Sequence, residues 1–138
     1  MKILAALDQS PYAEFVLNKA IKTARQQNAK LEIMVVAEKL GDGREAFDLA
    51  EVNTKLEESA VAAANAYQRH AEAQGMPAKI RPASGPSAAE TIIAYQKAEN
   101  LDLIVLGRRS HKNRDPFPMG HVSQRVAAHA TCTVMIVR

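Results

Sequence analysis

Residues Asp102–Arg138 read DLIVLGRRSHKNRDPFPMGHVSQRVAAHATCTVMIVR. A short apolar run, Leu103-Ile104-Val105-Leu106, stops at Gly107, and a basic loop follows. Two prolines then lead to Gly120 and to a helical pattern over roughly Pro118–His129, with Val122, Val126 and Ala130 on one face. The segment closes on a second apolar run inside Thr133–Val137. Strand, glycine-containing polar loop, helix and strand make up half of an α/β domain of the nucleotide-binding kind.

The rest of the chain repeats the alternation. Lys2–Leu7 is a nearly continuous apolar run, as expected of a central parallel strand covered on both faces. Ser10-Pro11 predicts a helix start, with serine as the cap and proline at the first helical position. Ala13, Val16, Leu17, Ala20, Ile21 and Ala24 then form one helical stripe. Leu31–Ala37 is the second strand, and a long helix is predicted from about Ala46 to Ala73, ended by Gly75 and Pro77. A third strand, Ala78–Ala83, contains Pro82, which cannot donate to a ladder and favours a sheet edge. Ser87-Ala-Ala-Glu90 is a capping box for a helix that buries Ile92 and Ile93 and closes at Asn100. The expected fold is a single α/β domain over residues 1–138: a doubly wound, five-stranded parallel sheet in the order 3-2-1-4-5, with helices on both faces.

Composition narrows the function. The net charge of +3 is mild, and Arg108, Arg109, Lys112 and Arg114 against Asp115 place the whole excess in one loop. Nucleic-acid binders spread their cations over a face or a helix, so nucleic acid is not the expected partner. A single basic loop suits a small anion, although a solvated charged loop is the commoner fate of such a run. No apolar run approaches the ~18 residues of a membrane span, so no membrane association is expected. The opening MKILAALDQS is too short for a signal peptide, and Cys132 is the one cysteine. A reducing, cytoplasmic setting is the expectation.

In open parallel sheets ligands sit beyond the carboxyl ends of the strands, where the strand order reverses. For the order 3-2-1-4-5 that crevice lies between the first and fourth strands, which end at Asp8 and Gly107. The last helix starts at the same end, where its dipole and free amide groups favour an anion. Asp8 also fits a local role, accepting amide bonds beside a helix start, and the two roles are compatible.

The chain resembles the universal stress protein family over its whole length. The likeness is strongest in the C-terminal third, where the family carries an apolar strand, G-x2-G-x9-G-[ST] and a helix of the type VSxRVxxHA. Here Gly107 and Gly120 keep the spacing, followed by Val122-Ser123-Gln124-Arg125-Val126 and His129-Ala130. Asp8, Gly85-Pro86 and Asp102 match as well. The resemblance implies a ligand, ATP or another adenine nucleotide, usually held with a divalent cation such as magnesium. Asp8 and Val36 would contact adenine, with Leu7 nearby. Gly107, Arg108, Arg109 and Ser110, with Leu106 before them, would line ribose and phosphates, and Gly120, His121, Val122 and Ser123 would hold the phosphates. Two positions depart from the motif: Ser110 replaces its second glycine, and His121 its small hydroxyl residue. Branches without the glycine motif are held not to bind ATP, so a dimeric interaction protein with a vestigial site is the competing expectation.

Enzymatic motifs do not emerge. The sequence has no G-x4-GK[ST], no GxGxxG after the first strand, no HExxH and no metal-ligand spacing. A phosphoacceptor receiver domain expects an aspartate where Ser84 stands. Cys132, just before a strand, reads as core rather than nucleophile. A binding module is expected, with slow ATP hydrolysis the one reaction left open. The last strand, Thr133, Val134, Met135, Ile136 and Val137, is apolar and has neither proline nor charge to protect an edge. Family members commonly pair through it, and a homodimer joined there is expected.

Overall fold

The structure, a computed structural model, describes residues 1–41, 46–108 and 121–138. Strands and helices alternate as β1 (Lys2–Leu7), α1 (Ala13–Gln27), β2 (Lys30–Glu38), α2 (Ala46–Ala73), β3 (Ala78–Ile80), β4 (Ala83–Gly85), α3 (Ala88–Glu99), β5 (Leu103–Gly107), α4 (His121–His129) and β6 (Thr133–Val137). All the strand pairings are parallel, in the order β3-β2-β1-β5-β6, with β4 also on β2. The doubly wound α/β class is as expected.

The strand count differs from the sequence expectation. The single strand expected over Ala78–Ala83 is two, β3 and β4, which gives six strands among the described residues. Yet the register never shifts: Leu31 faces Ala78, and Val36 faces Ala83. Arg81 still donates its N–H to the Ile33 carbonyl at 2.8 Å. Pro82, the next residue, has no N–H to give, so the ladder lapses there and resumes one residue later. The first helix also starts later than expected. Ser10 and Pro11 lie in a turn, Tyr12 occupies the cap position, and the helix begins at Ala13. Ser10 acts one step early, its Oγ accepting the Tyr12 N–H at 3.3 Å. The last helix begins at His121 among the described residues; the expected start at Pro118 lies outside them.

Each interior strand feeds two cores, because successive side chains point to opposite faces. Ile3, Ala5 and Leu7 of β1 join Ile33 and Val105 under α1 and α2. Leu4 and Ala6 join Met34, Ile104 and Leu106 under α3 and α4. Asp102 ties the two central strands at their start: its Oδ2 accepts the Lys2 N–H at 2.8 Å, and its own N–H donates to the Lys2 carbonyl at 3.0 Å. Ser87 caps α3 as the box predicts, accepting the Glu90 N–H at 3.3 Å, and Asn100 closes it in the left-handed conformation at φ 51°. β3 and β6 are the sheet edges, as expected from Pro82 and from the apolar last strand. Among the described residues no helix is long and apolar enough to cross a membrane.

One buried charge has no counterpart in the sequence reading. Glu32, the third residue of β2, is only 5% exposed. Tyr95 of α3 donates its hydroxyl to one carboxylate oxygen, and Arg81 its Nη2 to the other at 3.2 Å. Burial alone would push this carboxyl up, but the Tyr95 hydroxyl and the Arg81 guanidinium, with Lys2 adding to them, outweigh it and hold it below its ordinary value. The Tyr95 phenol is pushed up, by burial first and by the Glu32 carboxylate second.

Candidate functional site

The crevice lies where the topology puts it. β1 and β5 are adjacent, yet their following helices pack on opposite faces of the sheet, so the chain diverges beyond their carboxyl ends. A cavity of about 570 Å³ opens there, within the usual range for small-molecule sites. Its floor is made by the ends of β1, β2 and β5, and one wall by the first turn of α4.

The expected residues converge on it unevenly. Leu7, Asp8, Val36, Leu106, Gly107, His121, Val122 and Ser123 all line the cavity, although they come from four separate elements and the turn after β1. Arg108 lies beyond the lining, its N–H donating to the Val137 carbonyl at 2.8 Å. Arg109, Ser110 and Gly120 lie outside the described residues. Among the described residues no lysine or arginine lines the cavity. The lining carboxylates are Asp8 and Glu38.

Local chemistry explains why these groups stand where they do. The Asp8 Oδ1 accepts the Ser10 N–H at 3.0 Å, so the aspartate does act in its local turn. The Ser123 side chain is buried, and its Oγ donates to the Arg108 carbonyl at 2.7 Å. That bond clamps α4 to the exit of β5. Gly107 is needed for space: a Cβ there would stand 3.3 Å from Val16 Cγ2, tighter than ordinary packing. Gly107→Ala is expected to cost stability only modestly, about 1 kcal/mol in a urea titration, because Val16 must yield a few tenths of an ångström.

Several lining residues were not singled out from the sequence. Gln9 and Ser10 follow Asp8 directly, and Glu38 continues the strand two residues beyond Val36, so adjacency was the available signal. Leu56 comes from α2 and Ile92 from α3, both on helical stripes that mark burial but not a cavity. Tyr12 also lines the cavity, though its side chain is 66% exposed at the rim. Behind the lining, the Tyr67 hydroxyl of α2, itself not a lining residue, donates to the Asp8 carbonyl at 2.7 Å. Its phenol is pushed up by burial first and then by the carboxylates of Asp8 and Glu14.

A family model described as the universal stress protein family matches residues 1–138. The chain belongs to this family. A universal stress protein of Staphylococcus aureus strain USA300 is 30% identical over 140 residues, covering 99% of this chain and 82% of the relative. The structure of UspA from Lactobacillus plantarum superposes with a TM-score of 0.89 at 25% identity, covering 100% of this chain and 97% of that one. Two more distant structures share the fold. A universal stress protein in complex with cAMP has a TM-score of 0.73 at 21% identity, covering 100% and 97% of the two chains. The universal stress protein from Archaeoglobus fulgidus in complex with dAMP has a TM-score of 0.69 at 17% identity, covering 100% and 98%.

Cys132 of this universal stress protein is partly exposed and packs at the margin of the α3–α4 core. Burial pushes its thiol up, and nearby Asp102 adds to the shift. Alkylation by iodoacetamide is therefore expected to be slower at pH 7.5 than for a free cysteine peptide. A rate equal to or above the peptide's would reveal an activated thiol.

Proposed function

We propose that this universal stress protein binds an adenine nucleotide, ATP, ADP or AMP, in the cavity between β1 and β5. The observation that carries the reading is the convergence of Asp8, Val36, Gly107 and the first turn of α4 on one cavity at the switch point. The apolar floor from Leu7, Val36 and Leu106 suits a base. The Asp8 end supplies polar groups for its edge or for ribose, and the α4 end supplies the dipole that favours phosphate. The structures holding cAMP and dAMP support the class of ligand.

For magnesium the described residues provide no group of three His, Cys, Asp or Glu side chains placed to hold an ion. A magnesium ion would enter with the nucleotide phosphates. We read the module as a binding one, on the convergence of a base-sized apolar floor and a helix N-terminus at one cavity.

A second reading, an interaction protein with a vestigial site, is favoured by one observation. His121 puts an imidazole on the cavity wall at the motif's small hydroxyl position. Calorimetric titration with ATP, ADP and AMP, with and without magnesium, separates the two. Binding in the micromolar range is expected, with Asp8→Ala weakening it at least tenfold. Silence at millimolar concentrations of all three would leave the interaction protein standing. An Asp8→Ala variant as tight as the parent would remove the proposed contact.

The same module is proposed to form a homodimer through β6. That strand is a sheet edge, and its apolar side chains from Val134 to Val137 are only half-buried. Light scattering at micromolar concentration is expected to give twice the 15.0 kDa chain mass. A monomeric mass would rule out the pairing at that concentration.

A further inference from the structure

We propose that Tyr67 is a positioning residue of the site, holding the Asp8 peptide from α2 and so aiming the Asp8 side chain into the cavity. The inference rests on the adenine-nucleotide reading above and names what keeps its Asp8 contact in place.

The turn between β1 and α1 is stabilised mostly within itself. Ser10 N–H to Asp8 Oδ1, Tyr12 N–H to Ser10 Oγ and Ala13 N–H to the Ser10 carbonyl, at 3.0, 3.3 and 3.2 Å, all join residues two or three apart. Such bonds set the shape of a turn but not its tilt relative to the sheet. Among the described residues, the side-chain hydrogen bonds that reach residues 8–12 from outside the turn and α1 both come from α2. Ser59 Oγ donates to Gln9 Oε1 at 2.9 Å, but this pair is exposed and competes with water. Tyr67 donates to the Asp8 carbonyl at 2.7 Å in a part-buried setting, where the loss of a partner costs more.

The tyrosine itself is well anchored. Its ring packs against the core formed by α1, α2 and the sheet, so the hydroxyl position follows the helix. Asp8 is the first residue beyond β1, and one peptide therefore carries both the Tyr67 bond and the carboxylate that lines the cavity. A tilt of that peptide by one rotamer's freedom moves the carboxylate without disturbing the sheet. α2 thus acts on the site through a single hydroxyl, although Tyr67 does not line the cavity.

Tyr67→Phe keeps the ring and removes the bond. In the free protein, hydrogen exchange at the Ser10 amide, which Asp8 Oδ1 holds, is expected to quicken about tenfold, while exchange at Val126 of α4 stays as in the parent. AMP affinity is expected to fall roughly tenfold, the effect of one lost part-buried hydrogen bond. In an Asp8→Ala background the same change should cost less than twofold, because Tyr67 acts through Asp8. Tyr95→Phe, whose hydroxyl serves Glu32 away from the cavity, is the control and should leave both readouts unchanged.

A folded Tyr67→Phe protein with parental Ser10 exchange overturns the proposal. Equal losses of affinity with and without the Asp8 side chain also overturn it, since they show a general structural effect. If the parent binds no adenine nucleotide, that reading fails by itself, and the exchange data still decide whether Tyr67 holds the turn.

Discussion

Replacing Ile104 by alanine is expected to lower the unfolding free energy by about 3–4 kcal/mol, with the urea midpoint falling and the slope of the transition unchanged. Ile104 is fully buried. It sits on β5 between Leu4 of β1 and Val134 of β6, and it faces the layer that holds Ile92 and Val126. Loss of the side chain removes its transfer energy and leaves a cavity that two neighbouring strands, fixed by their ladders, cannot close. Val134→Ala, on the edge strand and half-buried, should cost only about 1 kcal/mol. A loss below about 1.5 kcal/mol for Ile104→Ala would mean that α3 and α4 settle into the space. Because β5 also ends at the cavity floor, the variant tests how far core packing supports the site.

Arg81→Met should destabilise the fold by about 2–3 kcal/mol, a little below the ~3–5 kcal/mol of a fully orphaned buried charge, because Arg81 is itself partly exposed. The change leaves the Glu32 carboxylate buried on β2 with the Tyr95 hydroxyl as its remaining hydrogen-bond donor. Adding Glu32→Gln should recover more than half of the loss, since an amide oxygen still accepts from Tyr95 and carries no charge to desolvate. No recovery would show that Arg81 acts by packing, including its place over the Tyr95 ring at 5.9 Å from the centroid.

The same cluster has a pH signature with a definite sign. The folded Glu32 carboxyl lies below its ordinary value, so the unfolded chain takes up its proton first as the pH falls. Its stabilising contribution is therefore full above the ordinary carboxylate range and is lost as the pH drops through the folded value. A stability profile should fall on the acid side in the parent and fall less steeply in Glu32→Gln. Identical profiles would place the acid sensitivity elsewhere.

Much of the architecture was readable from residue patterns. The apolar runs at Lys2–Leu7, Leu31–Ala37 and Leu103–Leu106 marked strands covered on both faces, and the stripe from Ala13 to Ala24 marked α1. Such patterns report burial, which is a property of each residue and its near neighbours in sequence. Strand alternation then placed Asp8 and Gly107 at one crevice, and both line the cavity. Ser10-Pro11 was less informative, because a serine cap and a serine in a turn make the same local bond.

By itself, then, the sequence determined the alternation of strands and helices apart from the split of the third strand, the two edges, the switch point and the family motif around Gly107. Tertiary structure decided what no local pattern encodes: which distant group meets which. Pro82 interrupts the third strand without shifting its register, because β2 on the other side keeps the ladder aligned. Arg81 and Tyr95 meet the Glu32 carboxylate from two other segments, 49 and 63 residues away in the chain. Tyr67 lies on the long helix α2. Only the packing of α2 against the sheet carries its hydroxyl to the Asp8 carbonyl, 59 residues away in the chain, because the directions of hydrogen bonds are set by the fold and not by periodicity.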